Sequence, residues 1–347
     1  MVSTLTKPSL GFLTICRDMG QDLKPGLDAL QDNALFAVKN GYKFLEAAAF
    51  PRQMEGETTV RDFYGETVSV DWVLANQAAA KEGVKRIQDK TGVSVEALCY
   101  CANTIGNEAD RKHFHKVVKA AAVLGVPNAV GFIGNVWNET AGMKGEQRRD
   151  YTARALTERL GPIVDEADSS GVNVAIENCS MRGALGYGSQ SLTSNWFSTH
   201  SEIRFVLGVL PKLKMWFDPS HIRNYRAQNC PEPSATVPIV RMIQEFGKHF
   251  SGSHLKDGED NVAGMLIHAS TGDVYGDNSH TGGIWIARAP GRGQIYWHPF
   301  EGAMQLYAPQ AFARSVEMED LAVMGRAANE DALRGVKAFY QPILDRN

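Results

Sequence analysis

Long apolar runs are missing from this chain. No stretch of 18 or more apolar residues occurs, so no membrane-spanning helix is expected. The N-terminus also lacks the basic region followed by an apolar run that export requires. An excess of either charge is missing, the formal net charge being only −3, and a phosphate-backbone groove needs a basic face. No nucleic-acid or membrane partner is therefore expected. The five cysteines, at 16, 99, 101, 179 and 230, are odd in number and do not make a disulfide framework. Cys99 and Cys101 alternate around Tyr100 in an apolar strand, so both point to one face, and their spacing is not that of a zinc clip. Buried, reduced thiols and a cytoplasmic location are the expectation. A P-loop is absent too. Gly291-Arg292-Gly293 lacks the preceding strand and directly following helix of a dinucleotide fingerprint, so no nucleotide cofactor is expected.

What is present is the composition of an ordinary globular protein, 44% hydrophobic and 22% charged over 347 residues. That length suits an α/β barrel formed as one unit. Short apolar runs alternate with longer amphipathic stretches, the signature of repeated βα units and a parallel sheet. Eight candidate strands run Leu10 to Ile15, Lys43 to Ala47, Val93 to Cys101, Asn128 to Ile133, Asn173 to Cys179, Lys214 to Asp218, Phe250 to Leu255 and Ala313 to Met318. Candidate helices run Gly26 to Asn40, Asp71 to Thr91, Glu108 to Leu124, Gln147 to Ser170, Ser201 to Leu210, Val237 to Lys248, His298 to Tyr307 and Asn329 to Leu344. Asn40-Gly41 and Gly125 suit helix C-caps. No linker divides the chain, so residues 1–347 read as a single (β/α)₈ TIM-barrel domain. Two connections, 180 to 200 and 257 to 297, are long and rich in Gly, Ser, Asn and aromatics. Following the fifth and seventh strands, they fall at the face where barrel active sites form, as lids or substrate walls.

Four strand-like segments each run into one ligand-type residue. Val174-Ala175-Ile176-Glu177 ends in a carboxylate, as does Met215-Trp216-Phe217-Asp218; Phe250 to His254 ends in an imidazole, and Ala313 to Glu317 in a carboxylate. Any one of these could be a helix N-cap or a surface residue. All four at adjacent stave ends would surround one hard or borderline divalent cation such as Mn, Mg, Co or Zn. Glu46, after Phe44-Leu45, either faces the same pocket or is a buried carboxylate paired with Arg17. Aromatic faces suit sugar rings, which draws in Trp137, Tyr187, Trp196, Trp285 and Trp297, although loop aromatics are also commonly packing residues. His113 and His115 lie on a helix outside the barrel and take no catalytic role.

Ile176-Glu177-Asn178-Cys179, Phe217-Asp218-Pro219-Ser220-His221, His254-Leu255-Lys256-Asp257-Gly258 and Val316-Glu317-Met318-Glu319-Asp320 together resemble the motifs of the sugar phosphate isomerase/epimerase family, with its xylose isomerase-like barrel. The resemblance runs over essentially the whole chain and strengthens from residue 170 onward. It implies that Glu177, Asp218, His254 and Glu317 bind one divalent metal ion, Mn foremost, with Glu319 the rival for the last place. It also implies that His221 contacts a substrate oxygen. Lys256, on the strand face of His254, could polarise a carbonyl, and Trp137 could line the substrate.

The reaction implied is sugar isomerisation or epimerisation through an enediolate, with Glu177 and Glu317 as the catalytic acid/base pair. Ketose 3-epimerases usually carry a second glutamate six residues after the first and an arginine six after the histidine; this chain has Gly183 and Asp260 there. A metal-dependent lyase acting on a 3-keto-glycoside or inosose is therefore the first alternative. A non-catalytic sugar-binding barrel is the alternative of another class. Homo-oligomers are common among such barrels, by analogy only.

Overall fold

The computed structural model describes residues 6–18, 26–51, 66–179, 195, 197, 200–222, 239–261, 266–267, 274–275, 284–318 and 325–346. Twelve strands are present among them: β1 Ser9–Leu13, β2 Phe44–Ala48, β3 Ser94–Tyr100, β4 Asn128–Gly131, β5 Asn173–Glu177, β6 Lys214–Phe217, β7 Phe250–Leu255, β8 Asp257–Asn261, β9 Leu266–Ile267, β10 Val274–Tyr275, β11 Ile284–Arg288 and β12 Ala313–Val316. Eight of them close a parallel barrel in the order β1, β12, β7, β6, β5, β4, β3, β2. These are the eight strands read from the sequence, each within two residues at its start. The barrel shuts where β12 pairs with β1, Ser9 opposite Ala313 and Phe12 opposite Val316.

Parallel strands covered on both faces need apolar residues on both, which is why runs such as Val174-Ala175-Ile176 are buried throughout. Helices pack between the staves, and Phe12, Phe44, Phe114, Trp216 and Tyr340 are among the largest fully buried side chains. Fully burying a Phe contributes roughly 1.5–3 kcal/mol, so these rings carry much of the hydrophobic stabilisation. Gly125 ends the helix Glu108–Leu124 at φ 75°, the left-handed C-cap its position suggests.

Three readings change. The helix expected over 71–91 is two, Val70–Ala75 and Gln77–Thr91, parted at Asn76 with φ −128° and ψ 44°. The helix expected over 147–170 contains a π-turn, Leu156–Leu160, before Gly161–Ser169. Pro162 has no N–H to return to the preceding turn, and the wider turn accommodates the lost bond. Finally, the connection 257–297 holds strands of its own: β8 and β11 pair antiparallel, Asp257 opposite Arg288 and Asn261 opposite Ile284. Asp-Gly-Glu-Asp-Asn carries none of the residues that mark a strand, so backbone pairing alone makes it one. No described helix is long and apolar enough to cross a membrane.

Candidate metal centre

Side chains alternate along a strand, so Glu177, His254 and the residues flanking them by two share the barrel's inner face. Glu177 closes β5, His254 lies one residue before the end of β7, and Asp218 and Glu317 directly follow β6 and β12. One ligand atom from each of the four lies within 4.8 Å of the other three, and all four residues are buried. The four stave ends therefore converge as their spacing requires. Glu319 lies outside the described residues.

The backbone beneath this cluster is pinned by two asparagines. Asn178 accepts from the Asp218 N–H at 2.7 Å and donates to the Asp218 carbonyl at 2.9 Å. Asn195 donates to the Glu177 carbonyl at 2.8 Å while its oxygen accepts from Ile133 and Gly134 N–H. Asp218 Oδ1 accepts from the Ser220 N–H at 2.8 Å, which leaves Oδ2 for the cluster.

Glu46 resolves toward the pocket. Its oxygens lie 3.0 and 3.1 Å from His254 Nε2, whereas Arg17 pairs with Glu330 at 2.8 Å and Asp32 at 3.3 Å. With Glu46 accepting from the Nε2–H, Nδ1 is the nitrogen turned to the carboxylates, 3.1 Å from Glu317 and 3.5 Å from Glu177. Lys256 also enters the cluster, its Nζ 2.8 Å from Glu317, 3.0 Å from Asp218 and 3.9 Å from Glu177. His221 joins it through Nε2, 3.2 Å from Asp218 and 3.3 Å from Glu177.

Charge governs the protonation of these groups. Burial would raise the Glu177 carboxyl, but His254, Lys256 and His221 outweigh it and hold its pKa below the usual range. Asp218 is lowered in the same way, with Lys256 and His221 overcoming burial. Burial works against a charged His254, yet Glu46, Glu317 and Glu177 raise its pKa well above the ordinary value. Despite these short distances, Glu177 Oε1, Asp218 Oδ2 and His254 Nδ1 are buried and make no hydrogen bond. Ion-pair distance without hydrogen-bond direction leaves these atoms turned to a common space, where a bound cation would replace the proton on His254 Nδ1. Three carboxylates and an imidazole so arranged fit a divalent cation.

Other candidates fall elsewhere. Trp137 is 43% exposed on the connection after β4. Trp297 is not on the rim: it is buried, edge-on to Phe300 and Tyr340, and donates Nε1–H to Asp257 at 3.0 Å. Tyr187 and Trp196 lie outside the described residues, as does the side chain of Trp285. His113 is buried against Tyr100 and bonds the Ala49 carbonyl, and His115 pairs with Glu166. Asp257 carries no role of its own in the His254 to Gly258 motif, yet it anchors the Gly-x-Gly segment by accepting from the N–H groups of Gly258, Gly291 and Ile295 as well as Trp297. A Cβ on Gly293 would sit 2.3 Å from Asp257 Oδ1, so the segment is a turn wrapped around a carboxylate. Cys99 and Cys101 are free thiols with sulfurs 3.6 Å apart, on the same strand face as expected.

A family model described as the xylose isomerase-like TIM barrel matches residues 35–340. No curated protein matches the sequence. Solved structures do match. The 3-keto-D-glucoside 4-epimerase YcjR from E. coli, in its apo form, is 14% identical with TM-score 0.55, covering 96% of this chain and 100% of that one. A D-psicose 3-epimerase determined in the presence of D-fructose is 15% identical with TM-score 0.59, over 97% and 99% of the two chains. The IolI protein with a bound zinc atom is 14% identical with TM-score 0.59, over 97% and 98%. At such identities the likeness is one of fold.

Proposed function

Because the chain belongs to the xylose isomerase-like TIM barrel family, we propose that it is a divalent-metal-dependent enzyme that isomerises or epimerises a ketose or keto-sugar through an enediolate. The observation that carries this reading is the buried convergence of Glu177, Asp218, His254 and Glu317 within 4.8 Å, three of them with a buried ligand-type atom that no hydrogen bond uses. These four would hold one ion, Mn²⁺ foremost, with Mg²⁺, Co²⁺ and Zn²⁺ accepting the same donors. When bound, the dication supplies Lewis-acid polarisation of a carbonyl and a neighbouring hydroxyl.

Glu177 and Glu317 act on the proton. Their carboxyls come from β5 and from the end of β12, with β6 and β7 between them in the barrel order, so they approach a bound carbon from different sides. One removes the proton beside the carbonyl and the other returns it. Return to the opposite face epimerises; return to the adjacent carbon isomerises. Neighbouring positive groups keep the Glu177 carboxyl ionised and ready as a base. Lys256 and His221 hold substrate oxygens, the ammonium favouring charge that develops on a carbonyl oxygen. Trp137 offers an aromatic wall to the sugar.

Loss of a β-substituent from the same enediolate is the second reading. The Gly183 and Asp260 substitutions of the ketose 3-epimerase pattern favour it.

One experiment addresses both. The Mn²⁺-loaded protein is incubated in D₂O with ketoses and 3-keto-glucosides, the latter because the E. coli neighbour is named for one. About one ion per chain is expected, with deuterium entering beside the carbonyl and no release of a leaving group. Exchange together with an unsaturated product makes the enzyme a lyase. A metal-loaded chain that exchanges no proton of any bound sugar overturns the catalytic reading in favour of a sugar-binding barrel.

A further inference from the structure

Two members of the cluster are held through their backbone by asparagines, Asn195 on the Glu177 carbonyl and Asn178 on both polar groups of the Asp218 main chain. At Glu317 the corresponding contact comes from a thiol. Cys16, fully buried in the short helix Ile15–Asp18 that follows β1, donates its S–H to the Val316 carbonyl at 3.5 Å and accepts from the Met318 N–H at 3.1 Å. One sulfur atom therefore grips the main chain on both sides of Glu317, from 300 residues away in sequence. The N–H of Glu317 itself goes to the Leu255 carbonyl of β7 at 3.2 Å. The residue is thus fastened to β7 on one flank and to the end of β1 on the other. β1 contributes none of the four clustered residues, yet it braces its second neighbour as well. Thr14 donates its N–H to the Glu46 carbonyl and accepts from the Ala48 N–H through Oγ1, both at 2.9 Å.

We propose that Cys16 is a positioning residue for Glu317, setting that carboxylate against Glu177, Asp218 and His254 at the separation one divalent cation requires. This role rests on the one-ion reading of the centre. A thiol is a weak donor and a weak acceptor, so its importance lies in what its removal leaves behind. A buried peptide N–H that loses its acceptor is costly, and the segment turns to recover one, carrying the Glu317 side chain with it. Little movement is needed to matter. The Glu317 carboxylate already stands 2.8 Å from Lys256 Nζ and 3.1 Å from His254 Nδ1, and a coordination distance holds to within about 0.2 Å.

The test is equilibrium dialysis of Mn²⁺ against the full chain, paired with urea unfolding of the same proteins without metal. Cys16→Ala should weaken Mn²⁺ binding about 10-fold. Cys16→Ser loses the same sulfur but keeps a donor and an acceptor, and should recover most of that affinity. A packing role alone would leave the two variants equally weak. Val117→Ala is the control for general loosening, since Val117 is buried on the helix Glu108–Leu124, which packs on β3 and β4 across the barrel from the seam. It should lower the unfolding midpoint and leave Mn²⁺ affinity unchanged. The proposal falls if Cys16→Ala binds Mn²⁺ like the wild type, if Cys16→Ser is as weak as Cys16→Ala, or if Val117→Ala weakens binding as much. In each of these cases the wild type still takes up its ion, and the four-residue centre stands. A wild type that takes up no Mn²⁺ overturns the one-ion reading and the role of Cys16 together.

Discussion

His254 shows how much of the centre a single residue can carry. One ring nitrogen faces Glu46 and the other faces Glu177 and Glu317, so the ring's orientation and its tautomer are set by the same contact. Glu46→Gln, which keeps the shape but offers an amide, should weaken Mn²⁺ binding by about 10- to 100-fold in equilibrium dialysis, with the circular dichroism spectrum unchanged. His254→Ala and Glu177→Gln should abolish stoichiometric binding in the same assay. The convergence of Glu177, Asp218, His254 and Glu317 was legible in sequence because two-residue alternation and strand-end position are local properties. The role of Glu46 was legible only as a choice between two partners. Its actual partner is 208 residues away, and alternation assigns a face without naming what stands across it.

At the scale of elements, the apolar runs of the staves are strong local signals, and all eight were placed. The pairing of β8 with β11 was not, because Asp257 to Asn261 carries polar and glycine residues that gain their strand from a distant backbone. What fixes the start of that hairpin is Asp257, whose two oxygens accept four N–H groups. Asp257→Asn turns an amide N–H toward two of those donors. It should cost about 1–3 kcal/mol in urea unfolding and increase protease cleavage between 284 and 297. An unchanged midpoint would mean the turn is held by its own backbone. The link between β5 and β6 admits a parallel test. Asn178→Ala removes both bonds to the Asp218 backbone and should lower stability by about 1–3 kcal/mol. Because Asp218 is then free to shift, Mn²⁺ affinity should fall as well.

Across the whole molecule, barrel closure depends on β12, and the outer side of that strand is tied to two helices by one buried network. Arg314 donates to Glu301 through Nε at 2.8 Å and Nη2 at 2.9 Å, and Tyr340 donates to the same carboxylate at 2.9 Å. Burial would raise the Glu301 carboxyl, but Arg314 and Tyr340 outweigh it and hold its folded pKa below the unfolded value. The stability it contributes is therefore fully present above the ordinary carboxylate range and is lost as pH falls through the depressed value. Thermal unfolding followed down the pH scale should show this loss. It should be absent in Arg314→Met, which is itself destabilised by about 3–5 kcal/mol because Glu301 is left buried without its cation. Neither helix nor strand betrayed this network in sequence, as its members come from three separate segments. The order of the four clustered residues along the chain has a biosynthetic consequence. Residues 1–172 contribute none of the four, and the last, Glu317, directly follows the strand that shuts the barrel. On a ribosome, the closing strand and the last of the four residues emerge almost together, so a chain cut off before residue 317 cannot assemble the whole cluster. Completion of the cluster is therefore coupled to closure of the barrel.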